Sequence, residues 1–229
     1  MKKNIILTIN AMLIGMSANA AGVSLGATRL IFPINQEQIT VKSYNTDTEG
    51  SYLIQSWVSD KDGNKVNDFV VTPPLFVQKE NSDSVLRVVY VGDKNNLSKD
   101  KETIYYFNSK VIPSLSKEQQ NIPNALLIAT TTNIKLFMRP TDLMDGALDA
   151  YKKITCTYNN SEIVIKNKSP YYMTLIELQA NDNEITDGIM IPPFEEKSVS
   201  NKYNTKMMTY KFINDYGVKS DQLNCPLSE

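Results

Sequence analysis

The sequence predicts an all-β protein made of two β-sandwich domains in tandem. After residue 22, short runs of alternating apolar and polar residues follow one another along the chain. Turn signals such as Asp62-Gly63-Asn64 and Gly92-Asp93 separate these runs, and no long amphipathic helical pattern interrupts them. At roughly 100–200 residues per domain, a chain of 229 residues accommodates one or two domains.

The N-terminal segment has the features of an export signal. Lys2 and Lys3 precede an apolar stretch from Ile5 to Met16, and the small residues Ala18-Asn19-Ala20 follow it. The apolar stretch is shorter than the ~20 residues that a membrane-spanning helix needs, so a cleaved signal peptide is favoured over a membrane anchor. We therefore predict a signal peptide at residues 1–20.

The first domain is predicted at residues 21–143. Its strand-like runs are Val23–Ala27, Ile39–Val41, Leu53–Trp57, Phe69–Val71, Leu75–Val77, Val85–Val91, Ile104–Ile112 and Leu126–Phe137. About seven strands over ~120 residues are typical of an immunoglobulin-like β-sandwich.

A second, smaller β domain is predicted at residues 144–229. Asp142–Gly146 forms the linker between the domains, with the character of a helical turn. The strand-like runs then resume at Ile154–Tyr158, Ile163–Ile165, Met173–Leu178, Ile189–Ile191, Val199 and Met207–Ile213.

The composition argues against several functional classes. The formal net charge of −1 gives no sign of a nucleic-acid surface, which usually carries a strong basic excess. The chain has no histidine and only two cysteines, which excludes a Cys/His zinc site and removes the commonest general base. It also lacks a Gly-rich phosphate-binding loop and a clustered carboxylate pair. We therefore expect a protein that is not an enzyme and that holds no metal or cofactor.

Cys156 and Cys225 both belong to the predicted second domain. An exported chain enters an oxidising compartment, where two cysteines usually pair, so we predict a disulfide between them. The alternative is a pair of buried free thiols.

The run from Ile134 to Arg139 combines apolar and basic residues in one predicted strand. Alternation places Lys135, Phe137 and Arg139 on one face of the strand and the aliphatic residues on the other. A buried lysine requires an anionic partner. Alternatively, Lys135 is exposed at a sheet edge, where lysine opposes aggregation.

Four segments together resemble the periplasmic pilus assembly chaperones of the chaperone–usher pathway. They are Val23–Phe32 with Thr28-Arg29, Glu102–Pro113 ending in Ile-Pro, Ile134–Pro140, and Ile213–Gly217 with its Asn-Asp-Tyr-Gly sequence. These segments occur in the family's order and span nearly the whole exported chain. The resemblance implies two immunoglobulin-like domains at an angle, with a cleft between them.

The resemblance also implies roles for charged residues in that cleft. Arg29 and Lys135 match the cations that bind the C-terminal carboxylate of a fimbrial subunit, and arginine suits a carboxylate because its planar fork binds both oxygens. Glu102, Arg139 and Asp215 match an internal charge network that fixes the angle between the domains.

The segment from Asn124 to Thr132 is predicted to carry the binding energy. Its apolar residues on both faces are usual for a buried central strand. In the family, the matching strand instead lies at a sheet edge and inserts into a pilin that lacks its final strand, which is a form of strand addition. We expect Leu127 and Ala129 to face the protein's own core. The residues expected to face the subunit are Asn124, Leu126, Ile128 and Thr130.

The resemblance implies a function in fimbrial assembly. The protein would hold pilin subunits in the periplasm and pass them to an outer-membrane usher, and the apolar strand would also permit self-association of the free protein. Thr130 replaces the family's large apolar residue at its position, and the short polar loop Ser114–Pro123 indicates the short-loop branch. The alternative function is that of a secreted β-sandwich adhesin or a pilus structural subunit.

Overall fold

The computed structural model describes residues 22–115 and 126–226. The predicted all-β fold is confirmed, because two sandwiches follow one another along the chain. The segment that joins them contains the short 3-10 helices Thr141–Leu143 and Ala147–Lys153, and another short helix spans Lys94–Asn96. The predicted signal peptide and Asn124 lie outside the described residues.

The first sandwich packs a sheet of order β1-β3-β7-β5 against a sheet of order β2-β9-β8-β4-β6. Its strands are β1 (Val23–Leu25), β2 (Arg29–Pro33), β3 (Gln38–Asn45), β4 (Tyr52–Ser59), β5 (Phe69–Thr72), β6 (Leu75–Gln78), β7 (Ser82–Tyr90), β8 (Thr103–Pro113) and β9 (Thr130–Arg139).

The first strand of the chain changes sheets after only three residues. β1 pairs antiparallel with β3, and the chain then crosses to the other sheet, where β2 runs parallel to β9. The two sheets enclose a core whose fully buried members include Phe32, Leu86, Phe107 and Leu136. Side chains of this size contribute about 1.5–3 kcal/mol each when buried.

The second sandwich packs a sheet of order β10-β11-β14 against one of order β13-β12-β15-β16. Its strands are β10 (Ile154–Tyr158), β11 (Glu162–Asn167), β12 (Met173–Ala180), β13 (Asn183–Ile191), β14 (Glu196–Ser200), β15 (Met208–Phe212) and β16 (Leu223–Asn224). A disulfide joins Cys156 in β10 to Cys225 just after β16, as expected, and both cysteines belong to the core.

One expectation about the last strand of the first domain is wrong. The strand β9 begins at Thr130 rather than at Leu126, and Leu127 and Ala129 are exposed instead of facing the core. The core face of β9 is formed by Ile134, Leu136 and Met138. Because residues two apart share a face, an extended chain would place Leu126 and Ile128, not Leu127, on the same side as this core face.

Among the described residues, no helix is long and apolar enough to cross a membrane. The same part of the chain contains no group of three or more His, Cys, Asp or Glu residues that could hold a metal ion.

Candidate functional site

A buried charge network joins the two domains at the end of β9. Arg139 Nε lies 2.7 Å from Glu102 Oε1, while its Nη1 and Nη2 donate to the two carboxylate oxygens of Asp215 at 2.6 and 2.8 Å. The Arg139 and Glu102 side chains are almost completely buried. Because Asp215 belongs to the second domain, Arg139 holds carboxylates of both domains at once.

Glu102 makes a second connection across the interface. Its Oε2 accepts a hydrogen bond of 2.7 Å from the Tyr172 backbone N–H, and its own N–H donates to the Pro170 carbonyl at 3.0 Å. Burial raises the pKa of Glu102 above its ordinary value, although Arg139 opposes this. Burial alone would lower the pKa of Arg139, but the hydrogen bonds and charges of Asp215 and Glu102 outweigh it and raise this pKa. The network is therefore saturated, with each buried charge paired.

Arg29 and Lys135 form a second cationic group nearby, with a different set of partners. They are direct neighbours in the parallel pairing of β2 with β9. Arg29 Nη1 donates to the Ile213 carbonyl at 3.0 Å, and Lys135 Nζ donates to Thr174 Oγ1 at 3.1 Å. Both acceptors are neutral oxygens of the second domain, and no carboxylate forms a salt bridge with either cation within the described ranges.

The electrostatics of this pair are unfavourable in the free protein. Burial lowers the pKa of Arg29, and burial together with the charge of Arg29 lowers the pKa of Lys135. Arg29 Nε is buried and makes no hydrogen bond in the described structure. Asp215 and Glu102 oppose the shift at Arg29, but neither carboxylate forms a salt bridge with it in the described part of the chain. Two adjacent cations that are partly removed from water favour the binding of an anion. A carboxylate could accept from both side chains.

The cleft that holds these cations is shaped by contacts between the two domains. Phe137 packs on Tyr172 with the ring centroids 5.6 Å apart. On the opposite side, the turn after β15 approaches Thr28, the residue before Arg29. Gly217 in this turn has φ +78°, and a Cβ there would collide with Thr28 Oγ1, so only glycine permits the approach.

The edge of β9 is open immediately before Lys135. The pairing with β2 covers only Lys135–Arg139, so the stretch Thr130–Ile134 has a neighbour only on the β8 side among the described strands. Thr130 and Thr132 lie on the same face as the core residues of β9, yet both are exposed. Along this edge, side chains on the core-facing side of the strand are therefore exposed to solvent.

Large apolar side chains continue this exposed edge toward the N-terminal end of β9. Leu126 is 83% exposed and Ile128 is 64% exposed. Exposed leucine and isoleucine side chains beside an unpaired strand edge are unusual in a protein that acts alone, because such edges pair with other chains.

The structure brings together the predicted charged residues in two groups, the network of Glu102, Arg139 and Asp215 and the pair of Arg29 and Lys135. Thr174 and the Ile213 carbonyl were not anticipated. Every residue has a main-chain carbonyl, so the sequence does not show which one accepts a hydrogen bond. Thr174 lies in an ordinary strand pattern, and no sequence signal pointed to it.

The fold and the cleft define a class of protein. It is a binding protein of two immunoglobulin-like domains whose cleft presents unpaired cations beside an open strand edge. Two protein-family models match the chain. The model described as "Pili and flagellar-assembly chaperone, PapD N-terminal domain" matches residues 22–144. The model described as "Pili assembly chaperone PapD, C-terminal domain" matches residues 149–223. The chain therefore belongs to the family of pilus assembly chaperones.

Curated relatives are similar over nearly their whole length. The probable fimbrial chaperone protein ElfD of Escherichia coli O157:H7 is 38% identical over 211 residues, which cover 91% of this chain and 88% of the relative. The chaperone protein FimC of Escherichia coli K12 is 36% identical over 219 residues, covering 95% and 89%. Both relatives are named as chaperones, and the chain belongs to the pilus assembly chaperone family, so the alternative of an adhesin or a pilus structural subunit is set aside.

Solved structures agree with this assignment. The periplasmic chaperone SfaE superposes with a TM-score of 0.77 at 33% identity, covering 90% of this chain and 100% of that one. The SafB chaperone, solved in complex with the Salmonella enterica SafA pilin, is also among the similar structures. That match has a TM-score of 0.79 at 27% identity and covers 90% of this chain and 97% of its counterpart.

Proposed function

We propose that this protein binds fimbrial pilin subunits in the periplasm, completes them with a strand of its own, and delivers them to an outer-membrane usher. Export would use the signal peptide at residues 1–20, leaving an N-terminal chaperone domain at residues 21–143 and a C-terminal one at residues 144–229. The complex of SafB with a pilin supports subunit binding by analogy. The binding would use no catalysis and no cofactor.

The observation that carries this proposal is the open edge of β9. Along this edge, exposed side chains on the core face continue into exposed apolar side chains at Ile128 and Leu126. A subunit that lacks one strand offers the complementary surface, an apolar groove with unpaired main-chain groups. Pairing the two provides hydrogen bonds along the strand and burial of about 1.5–3 kcal/mol for each large aliphatic side chain.

The cation pair lies at the end of the same edge. Lys135 directly follows the open stretch, and Arg29 is its neighbour on β2. A subunit chain that runs along β9 would therefore reach the cleft with its C-terminal carboxylate facing both cations. The carboxylate fixes where along β9 the subunit begins to pair, and so sets the register of the added strand.

The test is a comparison of charged substitutions on the two sides of the binding segment. Leu126→Glu and Ile128→Glu should leave the melting temperature nearly unchanged, because both side chains are already in water. Both should prevent recovery of pilin, because a carboxylate entering an apolar groove loses its hydration. The measurements are thermal melting of the purified variants and mass spectrometry of the pilin co-purified from the periplasm.

Leu127→Glu is the matched control. In an extended chain this side chain points away from the face that carries Leu126 and Ile128, and it is already 43% exposed. We expect this variant to keep both its stability and its bound pilin. Recovery of pilin at the wild-type yield with Leu126→Glu and Ile128→Glu would refute strand donation by this segment.

A further inference from the structure

A row of hydroxyl side chains crosses the inner face of the larger sheet of the first domain. Ser56 on β4 is the register partner of Ser109 on β8, and Ser109 is the partner of Thr132 on β9. The rows on either side are mostly apolar, with Val58, Phe107 and Ile134 on one side and Ile54, Val111 and Thr130 on the other. The row therefore places a polar layer within a hydrophobic core.

The hydroxyl groups of the two serines in this row have no hydrogen-bond partner among the described residues. Ser56 and Ser109 are 3% and 1% exposed, and the structure gives neither Oγ a partner. A buried hydroxyl without a partner is destabilising, because it has lost its hydrogen bonds to water. Thr132, the third member, is exposed at the open edge. The row thus runs from two unsatisfied hydroxyls in the core to a hydroxyl at the place where a subunit would bind.

We propose that the subunit's groove presents a hydroxyl or carboxamide side chain to Thr132, which extends this row across the interface as a polar contact. The proposal rests on the proposed function and specifies the chemistry of the partner. The groove would have two parts, an apolar one that receives Leu126 and Ile128 and a hydrogen-bonding one nearer the carboxylate anchor. Pilins that share an apolar groove for Leu126 and Ile128 could then still be distinguished by the side chain that they present to Thr132.

The three consecutive threonines of β9 provide a matched set of variants. Thr132→Val keeps the shape of the side chain but removes its hydroxyl group, whereas Thr132→Ser keeps the hydroxyl and removes a methyl group. Thr131→Val makes the same change on the opposite face of the strand, where the side chain is exposed and away from the core. The probe is the pilin recovered with the wild-type protein in the co-purification above.

Each variant competes with a differently tagged wild-type protein for a limiting amount of this pilin during co-expression. We expect the share of pilin held by Thr132→Val to fall about 2- to 10-fold, the range for one lost hydrogen bond. Thr132→Ser and Thr131→Val should hold a share close to that of the wild type. Melting temperatures of all three should match the wild type, since the replaced side chains are exposed.

A groove that is apolar throughout predicts the reverse order, with Thr132→Val equal to or better than the wild type and Thr132→Ser weaker. That order, or equal shares for the two Thr132 variants, would overturn the polar contact. The outcome is separate from that of strand donation, which is decided by Leu126→Glu and Ile128→Glu. Strand donation can hold while the polar contact fails.

Discussion

Two cations on the same strand, Arg139 and Lys135, have opposite surroundings. Arg139 is buried between Glu102 and Asp215, with each of its charged partners within 2.8 Å. Lys135, four residues earlier on β9, donates a hydrogen bond to the hydroxyl of Thr174 and lies beside another cation, Arg29. Arg139 therefore has its salt-bridge partners within the chain, whereas Lys135 and Arg29 form no salt bridge among the described residues.

This difference separates structural charge from charge that is available for binding. A buried ion pair that is fully hydrogen-bonded fixes the geometry of the groups it joins, and breaking it is costly because the remaining partner stays buried. A cation pair without a counter-ion raises the free energy of the free protein slightly and lowers it when an anion arrives. In the proposed function, the first group would hold the domains in place, and the second would bind the carboxylate of the subunit.

The largest expected effect is on stability and comes from Arg139. Arg139→Ala leaves Glu102 buried without its counter-ion, which should cost about 3–5 kcal/mol of unfolding free energy. Arg29→Met removes a cation that has no carboxylate partner, and we expect a change within about 1 kcal/mol. Urea unfolding of both variants measures the difference. Equal losses would contradict the distinction between the two groups.

The next effect concerns subunit capture rather than stability. Lys135→Glu places a carboxylate beside Arg29, where it would occupy the position of the subunit's C-terminus. The variant should remain folded and recover no pilin from the periplasm, and charge reversal at Arg29 should act in the same way. Circular dichroism and the yield of co-purified pilin test this pair of expectations. Capture at the wild-type level would show that the cleft cations do not anchor the subunit.

The smallest effect is a pH dependence of carboxylate binding. Burial and Arg29 lower the pKa of Lys135 in the free protein, whereas a bound carboxylate would raise it again. Binding therefore takes up a proton when the pH exceeds the pKa of the free protein, and affinity falls as the pH rises through that pKa toward the ordinary value of 10.5. This dependence can be measured with a peptide that carries the C-terminal residues of the captured pilin and its free carboxylate.

Fluorescence titration of this peptide from about pH 7 to about pH 10 measures the change. Lys135→Arg is the control, because arginine stays charged throughout this range, so its affinity should stay constant. The amidated peptide should bind weakly to both proteins.

The lowered pKa of Lys135 also affects the stability of the free protein, with a known sign. Because the folded state releases the Lys135 proton first, this group destabilises the fold below its lowered pKa, and that penalty is relieved as the pH rises.

Much of the fold followed from local patterns in the sequence. β5 and β6, on either side of Pro73-Pro74, were predicted within a residue because β-branched and aromatic runs end at turn residues. The orientation of the segment from Leu126 to Ala129 was not predicted correctly. Leu126 to Ala129 are apolar on both faces, so the segment has no period of its own. Counting back in twos from the core face of β9 would have given the correct side.

The candidate site was predictable in its charges and not in its partners. Glu102, Arg139 and Asp215 matched a known arrangement, so their meeting could be anticipated. The acceptors of Arg29 and Lys135 come from the second domain, and their positions depend on the angle between the sandwiches. The unsatisfied hydroxyls of Ser56 and Ser109 were hidden for a related reason, since alternation shows that a serine faces inward but not which groups surround it.

The parallel pairing of β2 with β9 also has a consequence for the order of folding. Arg29 and Lys135 are neighbours in space, although 106 positions separate residue 29 from residue 135 in the chain. Contacts of such long sequence separation form late, because the intervening chain must first be ordered. If these two cations form the proposed carboxylate site, a folding chain would not complete that site until its first sandwich has closed.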